Sequence, residues 1–318
     1  MLKIQYVSLN TYYDIYNIDT VYPSLKTYFK HFSKSCHNWE WLDPIIKEDK
    51  DENVIKKIKN ENPDVVAFSC YTWNTTRHIL IMKKIKEFNP NIFIVTGGPD
   101  IPYKESYFWE EYYKEIDLHI PNDGEYSITK LLDSICLGNY NASNIPGSVI
   151  PTFDDKVYKQ SSASVLLTSD EWNQYSTILE NKDYFDYHIY KADKENYLSQ
   201  LIWETTRGCP YSCSFCDWGG GIMTKIRQKD INIIKEEIDY ILSRPVGLIH
   251  LADANFGILK RDLEIAEYIA AKRGQNKLKY HIHYNTAKNQ TKTTFDVIKK
   301  MCESGFSTHY QMSIQDTN

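Results

Sequence analysis

The chain has 318 residues, of which 25% are charged and 42% are hydrophobic, and its formal net charge at pH 7 is −5. This length allows two domains, and the acidic balance argues against the basic surface typical of nucleic-acid-binding proteins. No apolar run reaches membrane-spanning length, and the N-terminus shows no signal-peptide pattern. We therefore expect a cytoplasmic protein without nucleic-acid or membrane partners.

The first part of the chain alternates short apolar runs with helical patterns, as parallel α/β folds do. Val66-Ala-Phe-Ser-Cys70 and Ile92-Phe-Ile-Val95 are nearly continuous apolar runs, typical of strands buried on both faces of a parallel sheet. We predict a Rossmann- or flavodoxin-like domain over residues 1–140. Its strands are predicted at Lys3–Leu9, Val65–Tyr71, Ile92–Thr96 and Leu118–Ile120.

Three loops follow the carboxyl ends of these strands, where ligands bind in such sheets. They read Ser69-Cys-Tyr-Thr-Trp-Asn74, Gly97-Gly-Pro-Asp100 and Asn122-Asp-Gly-Glu125. Glycines at 97 and 98 would let the backbone approach a flat ligand where a Cβ would collide. Gly-Gly-Pro is also an ordinary turn after a strand, so both interpretations stay open.

A second α/β series begins at Gln200, after a linker region predicted over residues 141–199. Its strands are predicted at Leu201–Glu204, Leu248–Ala252, Lys279–Tyr284 and Thr308–Ile314. One helix is predicted to begin after the capping residue Asp230, and two more are predicted at Leu263–Lys272 and Phe295–Cys302. This β/α repetition is typical of a barrel with its chemistry at the C-terminal ends of the strands.

Three cysteines, Cys209, Cys213 and Cys216, follow the first strand of this second series. The spacing C-x3-C-x2-C packs three thiolates into one loop, which can hold three irons of a cubane cluster and leaves the fourth iron open. Clusters that only carry electrons usually have four cysteine ligands, so the missing ligand indicates a reactive site. A structural zinc site is the alternative, but it needs four ligands and no second cysteine pair lies nearby.

The cysteine loop resembles that of the radical S-adenosylmethionine (SAM) enzymes, in which the open iron of a [4Fe-4S] cluster binds SAM. The resemblance implies that residues beside the loop and at later strand ends bind SAM: Phe215, Gly219, Gly220, Asp253, Asn255, Ser313 and Gln315. Asp253 could instead cap the next helix, and the glycines could form a plain flexible loop.

Radical SAM barrels of this kind have six β/α units, whereas residues 200–318 supply about four strands. We therefore expect an incomplete (β/α)6 barrel in a chain that lacks the last units and any C-terminal substrate domain. A half barrel completed by another subunit is the alternative.

The three loops of the first part resemble those of the cobalamin (B12)-binding domain that precedes many radical SAM barrels. The resemblance implies that cobalamin contacts Ser69, Tyr71, Thr72, Trp73, Asn74, Gly97, Gly98, Pro99, Gly124 and Glu125. Proteins that replace the lower cobalamin ligand by histidine carry Asp-x-His-x-x-Gly, which is absent from the stretch after the first strand. We expect His78 and His119 to have structural roles, and cobalamin to bind without a histidine ligand.

Together the resemblances imply a cobalamin-dependent radical SAM enzyme, with methyl transfer to an unactivated carbon as the leading hypothesis. Radical rearrangement, cyclisation or oxidation without methyl transfer is one alternative, and a non-catalytic cobalamin sensor is another. The implied partners are a small-molecule or peptide substrate and an external electron donor of the flavodoxin or ferredoxin type.

Overall fold

A computed structural model describes residues 1–10, 14–47, 50–102, 104, 108, 111–112, 114–151, 158–211, 213, 225–275, 281–286 and 291–305. The chain forms two compact units. The first consists of Met1–Thr11 and Val21–Leu167, and the second consists of Tyr12–Thr20 and Thr168–Asn318.

The described residues form strands and helices in alternation. The strands are β1 (Leu2–Val7), β2 (Ile15–Ile18), β3 (Trp39–Trp41), β4 (Val65–Ser69), β5 (Phe93–Gly97), β6 (Leu118–Ile120), β7 (Val149–Pro151), β8 (Tyr158–Gln160), β9 (Leu198–Trp203), β10 (Thr206–Arg207), β11 (Arg227–Gln228), β12 (Leu248–Phe256) and β13 (His281–Thr286). The α-helices are α1 (Val21–Phe32), α2 (Asp51–Glu61), α3 (Thr75–Phe88), α4 (Glu125–Cys136), α5 (Ser169–Trp172), α6 (Lys182–Lys194), α7 (Ile231–Leu242), α8 (Lys260–Gln275) and α9 (Lys292–Glu303). In the part of the chain that is described, no helix has both the length and the apolar character needed to span a bilayer.

The first unit is built on a sheet with the strand order β3-β1-β4-β5-β6-β7-β8. β1 and β3 to β6 pair in parallel, whereas β7 and β8 are antiparallel additions at one edge. Every residue of β4 is buried, as expected of a strand whose two faces are both covered. Helix α1 packs on α4, and α2 packs on α3. The predicted parallel α/β sheet is therefore present, with strand ends shifted by two residues at most.

The second unit contains a four-stranded parallel sheet with the order β13-β12-β9-β2. β9, β12 and β13 correspond to three predicted barrel strands, and the fourth, Thr308–Ile314, lies outside the described residues. Asp230 precedes α7 as predicted, and its carboxylate accepts from the backbone N–H of Asn232 at 2.7 Å. The sequence pattern thus identified the order of these elements correctly.

β2 is a strand that the sequence pattern does not predict. It follows β1 in the chain, yet it pairs with β9 of the second unit, from Ile15 opposite Leu198 to Ile18 opposite Leu201. The hydroxyl of Tyr16 lies 2.7 Å from Nδ1 of His188 on α6, which fixes the strand against that helix. The predicted 1–140 domain therefore differs from the observed first unit, which omits residues 12–20 and continues to Leu167.

A buried glutamate holds several segments of the second unit together. Glu237 on α7 is fully buried and accepts from Nζ of Lys229 at 2.9 and 3.0 Å. It also accepts from Nε1 of Trp203 at 2.8 Å and from Oγ of Ser176 at 2.7 Å. Because each carboxylate oxygen has donors, the cost of burying the charge is offset by hydrogen bonds as well as by the ion pair.

Gly98 shows why the turn after β5 requires glycine. Its φ of +97° lies in the left-handed region, and a Cβ at this position would lie 2.2 Å from the carbonyl oxygen of Cys70. The clashing atoms are backbone, so a side chain could not be accommodated by a rotamer change. The turn after β5 is thereby fixed against the loop after β4.

Substitution of Gly98 by Ala should lower the free energy of unfolding by about 3 kcal/mol, since strained backbone and steric overlap add. Gly138→Ala is the matched control, because Gly138 also has a positive φ, of 66°, but an added Cβ meets nothing within 4 Å. The control should lose only about 1 kcal/mol. Urea-unfolding midpoints of both variants measure the difference, and equal losses would show that the contact with Cys70 is unimportant.

Candidate functional site

A short antiparallel stem closes the loop that carries the three cysteines. Thr206 of β10 pairs with Gln228 of β11, and Arg207 pairs with Arg227. The backbone N–H of Lys229 donates to the carbonyl oxygen of Thr205 at 3.1 Å, which extends the stem by one residue pair. Both ends of the loop are therefore held together directly after β9, at the carboxyl end of that strand.

Two of the three predicted iron ligands lie within the described residues. Cys209 and Cys213 are both partly buried. Gly208, just before Cys209, has a φ of +95°, so the chain turns sharply as it leaves the stem. The remaining predictions for this loop, Cys216, Phe215, Gly219 and Gly220, lie outside the described residues, as do Ser313 and Gln315 near the chain end.

The side chain of Asn255, on β12, reaches the sulfur of Cys209 in the cysteine loop. Its Nδ2 lies 3.1 Å from Sγ of Cys209, within hydrogen-bond distance. Asn255 lies near the carboxyl end of β12, the neighbour of β9 in the sheet. The structure thus brings Asn255 and the first cysteine together, although they are 46 residues apart in the sequence.

Asp253 lies two residues earlier on β12 and is 1% exposed. One carboxylate oxygen accepts from the backbone N–H groups of Thr205 and Thr206, at 2.7 and 3.0 Å. The other oxygen accepts from the hydroxyl of Thr205. Asp253 therefore fixes the two residues at the start of the stem, and a contact of Asp253 with SAM stays a prediction.

Burial shifts the acidity of this carboxyl group. Desolvation raises the pKa of Asp253 to about 6, against the opposing effect of the hydrogen bonds from Thr205 and Thr206. The group is therefore largely ionised at neutral pH and becomes protonated in mildly acidic solution.

Arg261 at the start of α8 holds the other end of the stem, a role that sequence reasoning did not identify. Its Nη1 donates to the carbonyl oxygen of Lys229 at 2.6 Å and to Oε1 of Gln228 at 3.2 Å. A lone arginine in the first turn of a helix carries no pattern that indicates such a contact. Asp253 and Arg261 together attach the stem to the β12–α8 segment.

The three predicted loops of the first unit start from one row of residues at the carboxyl edge of the sheet. Ser69 of β4 is opposite Gly97 of β5, which in turn is opposite Ile120 of β6. Ser69 is buried, whereas Thr72 and Pro99 are exposed. The sheet topology therefore brings the three loops to the same edge, as the sequence pattern predicted.

Aromatic and amide groups of the first loop shape this edge. The rings of Tyr71 and Trp73 are stacked at 4.8 Å with an interplanar angle of 5°, and the side chain of Trp73 donates from Nε1 to Oδ1 of Asn10 at 2.9 Å. Trp73 is 45% exposed. Asn74 is 2% exposed, and its Oδ1 accepts from the backbone N–H of Tyr71 at 2.8 Å. Its Nδ2 is buried without a hydrogen-bond partner among the described residues.

In the other two loops, Gly98 and Glu125 make contacts inside the first unit. Gly98 approaches the backbone of Cys70, as described above, so its close approach is to the chain itself. Gly124 precedes α4, and the carboxylate of Glu125 is buried, accepting from Oγ of Ser24 on α1 at 2.8 Å. Cobalamin contacts of Gly97, Gly98, Gly124 and Glu125 stay predictions.

Both histidines of the first unit that were expected to be structural have partners inside it. Nε2 of His78 accepts from the backbone N–H of Leu9 at 3.1 Å, and Nδ1 of His119 lies 3.1 Å from Oγ1 of Thr96. Burial lowers the pKa of each imidazole to about 3, so both are neutral at pH 7.

Two family comparisons match these two parts of the chain. Residues 30–132 match the family described as B12 binding domain, and residues 203–318 match the family described as Radical SAM superfamily. The first range includes strands β4 to β6 with their loops, and the second includes all three cysteines.

Two curated proteins are similar along nearly the whole chain. "Cobalamin-dependent radical SAM methyltransferase TokK" of Streptomyces tokunonensis is 28% identical over 99% of this chain and 45% of its own length. "2-(S-pantetheinyl)-carbapenam-3-carboxylate methyltransferase" of Streptantibioticus cattleyicolor is 27% identical over the same shares. The chain thus spans less than half the length of these relatives.

The fold is similar to that of the solved structure "Structure of Cobalamin-dependent S-adenosylmethionine radical enzyme OxsB with aqua-cobalamin and S-adenosylmethionine bound". The TM-score is 0.68 at 17% identity, over 96% of this chain and 42% of the other. This likeness, with the two family matches, confirms the predicted fold class, a parallel α/β sheet like that of B12-binding domains followed by a radical SAM domain.

Fold, cysteine loop and family matches together define a class of protein in which a B12 binding domain precedes a radical SAM domain. The chain is similar to proteins of this class, with the B12 binding domain matched over residues 30–132 and the radical SAM domain over residues 203–318.

The raised pKa of Asp253 predicts how stability changes with pH. The folded carboxyl, with a pKa of about 6, keeps a proton that the unfolded carboxyl, with a pKa near 3.8, has released. Between these two values, the free energy of unfolding relative to Asp253→Asn should fall as pH rises, by up to about 1.4 kcal/mol per pH unit. Above the folded pKa both states are ionised, and the difference should become constant.

Denaturant unfolding of wild type and Asp253→Asn from pH 4 to 7 measures this slope. The control is Asp193→Asn, which makes the same change at an exposed position of α6 and leaves Asp253 in place. A difference between wild type and Asp253→Asn that rises with pH would contradict the assignment.

Proposed function

We propose that this chain is part of a cobalamin-dependent radical SAM enzyme that binds a [4Fe-4S] cluster, SAM and cobalamin and transfers a methyl group. The observation that carries the proposal is the three-cysteine loop on a fixed stem at the carboxyl end of β9, in a chain with a B12 binding domain. When bound, these groups supply a reductant for SAM, a methyl donor and a methyl carrier. Unactivated carbon is the proposed methyl acceptor.

The residues of the loop fit a cluster. Cys209, Cys213 and Cys216 would hold three irons as thiolates, and the first two are partly exposed. Asp253 and Arg261 hold the stem from which the loop extends, so the ligands start from fixed backbone. Asn255 supplies an N–H group at the sulfur of Cys209.

The edge of the first unit fits cobalamin. Exposed aromatic surface at Trp73 could lie against an apolar face, and the buried Nδ2 of Asn74 offers a donor that no described residue uses. Because His78 and His119 are bonded internally, we propose that neither ligates cobalt. A buried N–H group without a hydrogen-bond partner lowers the stability of the folded chain. An acceptor atom of a bound ligand at Nδ2 of Asn74 would therefore stabilise the complex.

A small-molecule substrate is favoured over a peptide, because the carbapenam methyltransferase relative is named for a small-molecule substrate. An external donor of the flavodoxin or ferredoxin type would supply the electron.

Anaerobic reconstitution with iron and sulfide tests the cluster. We expect about four irons per wild-type chain. Replacement of Cys209, Cys213 or Cys216 by Ala should lower the iron content, because each removal leaves a second iron without a protein ligand. Cys302→Ala is the control, since Cys302 is exposed on α9 and outside the loop. Zinc in place of iron, or equal iron loss in the control, would overturn the cluster assignment.

The products formed from SAM by the reconstituted protein with reductant distinguish the reactions. S-adenosylhomocysteine would report methyl transfer, and 5′-deoxyadenosine would report reductive cleavage. 5′-Deoxyadenosine alone, with cobalamin bound, would favour radical chemistry without methylation. Cobalamin binding without either product would favour the sensor alternative.

Asn74→Asp tests cobalamin binding at the first unit. The substitution keeps the oxygen that accepts from Tyr71 and removes the donor Nδ2. Loss of one hydrogen bond should weaken hydroxocobalamin binding about tenfold, measured by visible absorption titration. The exposed Asn139 in the same unit gives the control Asn139→Asp, which should bind as wild type. Unchanged affinity of Asn74→Asp would remove Asn74 from the site.

A further inference from the structure

We propose that Asn255 sets the reduction potential of the cluster by donating a hydrogen bond to the sulfur of Cys209. This inference rests on the proposed function, because it requires the cluster. It gives Asn255 a role distinct from the SAM contact expected from the sequence.

The amide nitrogen of Asn255 has a defined position next to the cysteine sulfur. Nδ2 of Asn255 lies 3.1 Å from Sγ of Cys209. The residue is half-buried on β12, between the anchored Asp253 and the fully packed Phe256. The register of β12 against β13 shifts between Leu251 and Phe256, so the strand is irregular where Asn255 leaves it. Side-chain direction at this point is therefore not that of a regular strand.

The sulfur is fixed from its own side. Cys209 follows the stem by two residues, and that stem begins at Thr205 and Thr206, which are bonded to Asp253. The donor at 255 and the start of the sulfur-bearing loop are therefore attached to the same short segment of β12. A displacement of that segment would carry donor and loop together.

A hydrogen bond to a ligating sulfur affects the two oxidation states unequally. The reduced cluster carries one more electron, part of which resides on the sulfurs, so an N–H donor stabilises the reduced state more. Hydrogen bonds to sulfur are among the factors that set iron–sulfur potentials. Removal of the donor should make reduction harder, and a carboxylate in its place should make it harder still.

Redox titration of the reconstituted chain without SAM, followed by electron paramagnetic resonance, measures the effect. In Asn255→Ala the ratio of reduced to oxidised cluster at a fixed potential should fall about tenfold, a midpoint shift of about 59 mV to more negative values. Asn255→Asp should shift it further in the same direction. Asn232→Asp makes the same amide-to-carboxylate change at an exposed position of α7 and should leave the midpoint unchanged.

The iron content of each variant separates this inference from the proposed function. Should Asn255→Asp fail to hold iron, the Asn255→Ala variant still decides the question. If wild type binds four irons and Asn255→Ala has an unchanged midpoint at full iron content, the inference is overturned and the proposed function stands. If Asn255→Ala binds SAM more weakly but has an unchanged midpoint potential in the absence of SAM, Asn255 is a SAM contact only. That result also overturns the inference. A wild-type chain without a cluster would contradict the proposed function itself.

Discussion

The buried carboxylate of Asp253 is the interaction on which the arrangement of the cysteine loop depends. It bonds the backbone of Thr205 and Thr206 at the point where the chain leaves β9. Parallel strands end in loops with unpaired N–H groups, and a buried acceptor satisfies two of them here. The cost is a desolvated carboxyl group, visible in its raised pKa. What it stabilises is a defined starting point for the loop that carries Cys209 and Cys213.

Because β10 pairs with β11, the stem holds both ends of the cysteine loop at the position that Asp253 fixes. β10 and β11 pair over only two residues each, which by itself is a marginal hairpin. Asp253 at one strand and Arg261 at the other supply the missing stability through side chains. Both ends of the cysteine loop are thus attached to the β12–α8 segment. Rigid support beneath a ligand-bearing loop is a general requirement of metal sites.

Much of this arrangement follows from local sequence pattern. Cysteine spacing identified the loop, and apolar runs identified β4, β5 and the barrel strands, because period and length are local properties. The partners of Asp253 and Asn255 were not predictable, since Thr205 and Cys209 lie 48 and 46 residues away. The strand at Ile15–Ile18 was missed because its partner β9 begins only at Leu198, and a local pattern does not reveal a pairing between segments so far apart in the chain. Gly97 and Gly98 were expected either to make room for a ligand or to form a turn, and the contact found at Gly98, with the backbone of Cys70, appears only in three dimensions.

Amide hydrogen exchange at Thr205 and Thr206 tests most directly whether Asp253 holds the start of the stem. In the wild-type chain these two N–H groups should exchange as slowly as those of β9, although they lie beyond the end of that strand. In Asp253→Ala they should exchange at the rate of exposed loops, while β9 itself stays protected. Fast exchange of both amides in wild type, or unchanged protection in the variant, would contradict the account.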